Sequence, residues 1–212
     1  MLFRSGVIVT MDGPAGTGKS SVAWKLAQRL GLEVLDTGAM YRAAAVVAID
    51  EGVPADDGAA LAARIAEEGL VFDWSCRPPR ILLGGRDLTE RVRDADVNVV
   101  VSVVARQGPL RAAMVDAQRV IGRAHPRLVT EGRDQGSVVF PDAAVRFYLD
   151  AHPEVRARRR VDQMRSQGRP ADYEAVLRAI QQRGHLDETH SDGPLVCPSG
   201  AQRVDTSGLT DR

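Results

Sequence analysis

The sequence is short of the features that mark several large classes of protein. Its 28 basic and 28 acidic side chains cancel, so no overall basic field draws the chain to nucleic acid or to a membrane surface. There are only two cysteines, Cys76 and Cys197. They match neither a metal-ligand spacing nor a disulfide framework, which points to a reducing cytosol. No run approaches the ~20 apolar residues of a membrane span, and "MLFRSG" at the start is too short for a signal peptide. A cytoplasmic protein is therefore expected, with no nucleic-acid or membrane partner. Internal repeats and low-complexity tracts are missing as well. What is present is globular: 212 residues with 44% apolar content can bury one good core and a small insert.

The most informative stretch is "VIVTMDGPAGTGKSSVAWKLAQRLG", Val7 to Gly31. Val7, Ile8, Val9 and Thr10 are apolar or β-branched, as suits a strand buried on both faces of a parallel sheet. Gly13, Gly16 and Gly18 allow backbone conformations that a Cβ forbids, so successive amides can turn toward anionic oxygens. With Lys19 and Ser20 the segment reads "GPAGTGKS", a match to G-x-x-x-x-G-K-[ST]. That pattern assigns Gly13, Pro14, Ala15, Gly16, Thr17, Gly18, Lys19 and Ser20 to ATP, and Ser21 directly after it is expected to join them. The lysine reaches the β- and γ-phosphates, the Ser20 hydroxyl ligates Mg²⁺, and the helix that follows adds its positive end.

Farther along, "LEVLDTG" reads as a second strand ending at Asp36, and "AMYRAAAVVAIDEG" as a helix. "ADDGAALAARIAEEGLVF" holds another helix, closed by Gly69. Between Val71 and Arg91 short strands around a "GG" turn suggest a small β insert. Helices are expected around "NVVVSVVARQ" and over "PLRAAMVDAQRVIGRA", where Pro109 suits the first turn. "RLVTEGRD", "AVRFYLDA" and "AQRVDTS" supply three further strands, and two helices flank the "QGRPAD" turn. Strands separated by helices imply parallel pairing and a three-layer α/β/α fold. Ligands in such sheets gather at the carboxyl ends of the strands. This gathers Gly13 to Ser20, Asp36 to Arg42, Gly132 to Asp134 and the loop after Asp150 around one crevice.

A phosphate loop alone does not separate a kinase from a switch or a motor. "DTGAMYR" adds hydroxyls at Thr37 and Tyr41 and a guanidinium at Arg42, and "EGRDQGS" sets Arg133 beside Asp134 directly after a strand. An arginine fork suits a phosphate, and an aspartate accepts from a base amino group or holds an arginine in place. Either pair could instead be a surface ion pair.

Taken together, "DGPAGTGKS", "LDTGAMYR", the β insert, "VSVVARQGPLRAAMVDAQR", "EGRDQGSVVFPDAAVRFYLDA", "RARRR" and "GPL" before "VDTS" resemble the bacterial cytidylate kinases in order and spacing, from Val7 to Leu209. The resemblance implies a P-loop kinase fold: a parallel five-stranded sheet, a nucleotide-binding insert over about 38–105 with its β part at 71–91, and a helical lid over about 153–190. It implies transfer of the ATP γ-phosphoryl group to CMP or dCMP by a monomer. By the same resemblance Thr37, Arg111 and Asp134 face the cytosine edge, and Arg42 and Arg133 hold the acceptor phosphate. Tyr41 and Ser102 lie nearby, and Arg183 and Asp187 serve the sugar. Lys19, Arg133 and the lid arginines Arg156, Arg159 and Arg160 are expected to act on the transferring group. The chemistry agrees, since cytosine carries an amino donor where uracil has a carbonyl, so an aspartate acceptor discriminates between them.

The sequence leaves the family pattern at three points. Gly184 stands where an aspartate is usual, and His190 where an arginine helps close the lid over the base and sugar. Gln135 replaces an apolar residue within "GRDQGS". A histidine is shorter than arginine and mostly neutral at pH 7, so it would hold the substrate less firmly. Shikimate kinase is disfavoured as an alternative by the insert and by "GRDQGS", whereas a nucleoside monophosphate kinase with broadened pyrimidine choice stays open, given His190. A nucleotide-binding protein that has lost catalysis is disfavoured by the joint presence of Lys19, Ser20, Arg42, Arg133 and Asp134.

Overall fold

The computed structural model describes residues 6–166, 168–188 and 194–209. In chain order they form β1 (Val7–Asp12), α1 (Lys19–Leu30), β2 (Glu33–Asp36), α2 (Thr37–Asp50), α3 (Gly58–Glu68), β3 (Leu70–Asp73), β4 (Arg80–Leu83) and β5 (Arg86–Asp87). There follow α4 (Ala95–Val104), α5 (Gly108–Ala124), β6 (Arg127–Gly132), β7 (Val145–Asp150), α6 (Pro153–Ser166), α7 (Tyr173–Glu188) and β8 (Gln202–Asp205). One sheet has five strands in the order β2-β6-β1-β7-β8, and a second has three, β3-β4-β5. The chain divides into two compact units, Met1–Glu33 with Pro126–Arg212, and Val34–His125.

In the first unit β1 lies between parallel neighbours, with Asp12 opposite Gly132 of β6 and Tyr148 of β7. β7 continues the parallel arrangement to β8, with Asp150 opposite Asp205. These four strands therefore end at the same edge of the sheet. Val7, Val9 and Met11 are almost wholly buried, and each such side chain contributes roughly 1.5–3 kcal/mol through the apolar surface it removes from water. Along α1, Ala23 and Ala27 are buried one turn apart, and the helix packs on β6. Gly31 ends it in a left-handed conformation and donates its amide to the Ala27 carbonyl, an ordinary glycine stop. α6 and α7 pack against each other, and the Asp172 side chain caps the start of α7 by accepting from the Ala175 amide at 2.7 Å.

The second unit is built around α2. Ala43, Ala44, Ala45, Val46 and Val47 have no exposed surface. Small side chains all round the helix let α3, α4, α5 and β4 pack against it, which is why its sequence shows no amphipathic alternation. Asp36 caps it, accepting from the Ala39 amide at 3.0 Å. β3, β4 and β5 form an antiparallel meander. Its tight turn carries Gly84 and Gly85 with φ of 57° and 78°, the left-handed pair that a two-residue hairpin requires. The five core strands and the β insert thus follow the sequence expectation. A single π-helical turn, Gln135–Val139, was not foreseen. It arises because the Asp134 carbonyl accepts from the amides of both Val138 and Val139, at 2.8 and 3.1 Å.

Candidate active site

The P-loop joins the end of β1 to the start of α1. Gly13 has φ 142°, and a Cβ there would lie 2.0 Å from the Leu149 carbonyl oxygen of β7. No side chain fits that approach. Gly18 has φ 88° and stands at the N-cap of α1 without a side-chain capping bond, so the first amides of the helix meet no side-chain capping oxygen, an arrangement that suits an anion. Lys19 is buried and its Nζ donates to the Pro14 carbonyl at 2.8 Å. The Thr17 hydroxyl donates to the same carbonyl at 3.1 Å. Ser20 is exposed, and its hydroxyl donates to Oε1 of Glu131 at 2.8 Å.

Behind the loop sits a carboxylate that no motif singled out. Asp12 is fully buried at the end of β1. Its two oxygens accept from the amides of Gln135 and Gly136, each at 2.7 Å. Burial is the largest influence on this carboxyl and raises it from 3.8 to about 6; the Gly136 and Gln135 amides and Lys19 pull it down, and nearby Asp134 pushes it up. A Cβ on Gly136 would come 2.7 Å from Thr10 Oγ1 and 3.1 Å from Asp12 Oδ2, so glycine is required there. The "GRDQGS" segment is in this way tied to the strand that carries the P-loop. Asp134 and Gln135 are buried and Arg133 is half-buried. Sequence reasoning had Arg133 and Asp134 but passed over Asp12 and Glu131. The available signal was a carboxylate at or next to the last position of two apolar strands.

The three arginines expected to act on the transferring group, Arg156, Arg159 and Arg160, lie in the first half of α6. Arg156 is buried; its Nε donates to the Ala151 carbonyl at 3.1 Å and its Nη1 to that of Ala15 at 3.3 Å. Arg159 reaches the Gly16 carbonyl at 3.5 Å, the Thr206 hydroxyl at 3.1 Å, and the carbonyls of Thr206 and Leu209 at 2.5 and 2.9 Å. Both guanidinium groups therefore fasten the P-loop main chain to its surroundings, a placement the sequence did not foresee. Arg160 donates to the Gln163 side chain at 2.8 Å. Arg183 is half-buried in α7, Gly184 beside it has open space where a Cβ would stand, and Asp187 lies in the last turn. His190 lies outside the described residues.

In the second unit Thr37 is buried at the first position of α2, with Tyr41 and Arg42 half-buried one turn on. Nη1 of Arg42 lies 2.8 Å from the Cβ position that Gly38 leaves empty, so the guanidinium folds back over the helix start. Ser102 is half-buried in α4 and donates to the Val99 carbonyl at 3.4 Å. Arg111 is half-buried in the first turns of α5. Among the described residues no cluster of three His, Cys, Asp or Glu side chains could hold a metal ion, and no helix is long and apolar enough to cross a membrane.

The family model for cytidylate kinase matches residues 9–212. The chain is 41% identical over 205 residues to the cytidylate kinase of Mycobacterium leprae, covering 97% of this chain and 90% of that one. It is 46% identical over 210 residues to the cytidylate kinase of Rhodococcus jostii, covering 98% and 91%.

Proposed function

The chain belongs to the cytidylate kinase family, and from that membership we propose that it transfers the γ-phosphoryl group of ATP to CMP or dCMP, giving ADP and CDP or dCDP. The observation that carries this reading is Asp12, which sits at the foot of the P-loop and holds the amides of Gln135 and Gly136. A phosphate cradle and the Arg133 and Asp134 pair are thereby anchored to one strand end.

Phosphoryl transfer asks for position and charge rather than for covalent chemistry from the protein. The P-loop amides and Lys19 receive the donor phosphates, Lys19 exchanging its contact with the Pro14 carbonyl for a phosphate oxygen. The Ser20 hydroxyl, which donates to Glu131 and keeps a lone pair, is a hard oxygen ligand that fits Mg²⁺. Bound there, Mg²⁺ supplies charge neutralisation at the phosphate oxygens. Among the described residues no three His, Cys, Asp or Glu side chains group to hold a metal ion, so phosphate and water would supply the remaining ligands.

Arg133 and Arg160 neutralise the charge that spreads over the transferring group, and Arg156 and Arg159 keep the P-loop carbonyls in place around it. Arg42 and Arg133 hold the acceptor phosphate. Asp134, with Thr37 and Arg111, reads the cytosine edge; Tyr41 and Ser102 lie beside them, and Arg183, Asp187 and His190 serve the sugar side. No strong general base is needed, because the acceptor phosphate is already anionic. Closure of the α6 and α7 lid would exclude water, which otherwise competes as acceptor. We place the reaction in the cytoplasm, carried out by a monomer. An ADP-release assay across CMP, dCMP, UMP, dUMP and AMP tests the reading. CMP and dCMP should lead in kcat/KM, and equal efficiency with UMP rejects a cytosine-reading pocket.

A further inference from the structure

We propose that Gln135 is the positioning residue for the Asp134 carboxylate, its side-chain amide fixing the direction in which that carboxylate meets the base. The inference rests on the kinase reading above. Gln135 is 1% exposed, Asp134 6% and Thr130 not at all, so each polar group here must find its partner within the protein. Nε2 of Gln135 donates to Oδ1 of Asp134 at 3.3 Å, and its Oε1 accepts from the Thr130 hydroxyl at 2.7 Å. The carboxylate can only accept, so it fixes which end of the amide faces it; the hydroxyl then meets the oxygen.

The amide is held at both ends of its own chain. Its main-chain nitrogen donates to Asp12 on β1, and its side chain is gripped by Thr130 on β6. Thr10 of β1 and Thr130 of β6 are direct neighbours in the sheet, so two adjacent inner strands of the five-stranded sheet set the Gln135 side chain. Through it they set the Asp134 carboxylate. A carboxylate turning freely about its last torsion would present its lone pairs over a wide arc. Anchoring one oxygen narrows that arc, and a cytosine amino group is told from a uracil carbonyl by the direction as well as the presence of the acceptor.

Gln135→Met keeps the volume and the main-chain bond to Asp12 but removes the side-chain bonds to Asp134 and Thr130. Thr130→Val removes only the hydroxyl that steadies the amide. Steady-state kinetics with CMP, UMP and ATP should show KM for CMP raised about tenfold in Gln135→Met, with the CMP over UMP ratio of kcat/KM lowered to match and KM for ATP held within about twofold. Thr130→Val should move the same quantities in the same direction by about threefold, and it carries the test if Gln135→Met does not fold. In an Asp134→Asn background, Gln135→Met should leave the CMP over UMP ratio where Asp134→Asn alone puts it, because Gln135 acts through that carboxylate; a general packing role would lower it again. A folded Gln135→Met with the unaltered ratio overturns the proposal, as does an unaltered ratio in Thr130→Val. If the unsubstituted enzyme itself shows no preference for CMP, the kinase reading of Asp134 fails first, and the positioning role fails with it.

Discussion

Asp12 and Gly136 meet through a 2.7 Å hydrogen bond, carboxylate oxygen to main-chain amide, between residues 124 positions apart. The carboxyl is raised from 3.8 to about 6, burial outweighing the amides that favour its ionised form. The native protein thus binds this proton more tightly than the unfolded chain does. Its contribution to stability is fully present below pH 3.8 and is lost as pH rises through about 6. At about 1.4 kcal/mol per unit, the span is on the order of 3 kcal/mol. The unfolding free energy of the unaltered protein minus that of Asp12→Asn, from urea titrations, should therefore fall between pH 4 and pH 7. A flat difference would mean that Asp12 titrates as a solvated group does.

Gly136→Ala tests the same junction by volume. The added methyl would stand 2.7 Å from Thr10 Oγ1, 3.1 Å from Asp12 Oδ2 and 3.1 Å from Pro198 Cγ. Thr10 is a buried, β-branched strand residue with little room to turn, so the "GRDQGS" segment must move instead. A loss of about 1–3 kcal/mol in stability is expected, along with at least tenfold in kcat/KM for CMP. Unchanged melting and unchanged kinetics together would show that the segment tolerates displacement.

The Ser20 hydroxyl and Glu131 lie 2.8 Å apart. Glu131→Gln keeps the size and one acceptor oxygen but removes the negative charge beside the hydroxyl assigned to Mg²⁺. The Mg²⁺ concentration at half-maximal turnover should rise by about tenfold, with thermal stability nearly unchanged. An identical midpoint removes Glu131 from the metal's surroundings.

What the sequence made legible was local. The P-loop could be read because its glycines, lysine and serine act within nine residues of chain, and β1 and β6 because apolar runs bounded by turns identify themselves. Asp12 and Glu131 stood inside the quoted motifs, yet their roles depend on the pairing of β1 with β6, which sets Met11 opposite Glu131 and Asp12 opposite Gly132. Spacing along the chain carries no trace of that register. Arg156 and Arg159 were visible as a basic run at the start of a helix, but their carbonyl partners at Ala15, Gly16 and Thr206 come from segments far away in sequence. The π-helical turn behind Asp134 escaped for a related reason: it depends on one carbonyl accepting two amides, a choice that no residue type announces.

Lys19→Ala removes the buried ammonium group of the P-loop. The Pro14 carbonyl it donates to keeps the Thr17 hydroxyl and can be hydrated once the side chain is gone, so the fold should survive. Turnover should drop by roughly 10²-fold or more, because a charge-assisted donor to the transferring group is lost at a water-poor site. Near-normal turnover in a folded variant would remove Lys19 from the chemistry.

The two neighbouring arginines of α6 should separate under substitution. Arg159 donates to Gly16, Thr206 and Leu209 carbonyls and to the Thr206 hydroxyl, and that hydroxyl lies 3.0 Å from the carbonyls of both Thr17 and Asp150. Arg159→Met strips donors from several of these acceptors at once, so it should lower stability by about 2–3 kcal/mol and raise KM for ATP as the P-loop loosens. Arg160 donates to Gln163 on its own helix, an exposed side-chain bond of the kind that adds little to stability. Arg160→Met should leave the melting temperature within a few degrees and lower kcat by about 10²-fold, the loss expected for one charge that stabilises the transferring group. Melting curves read beside kcat and KM for ATP distinguish the roles. If Arg159→Met melts normally and loses kcat alone, Arg159 belongs to the transferring group; if Arg160→Met retains full kcat, Arg160 does not.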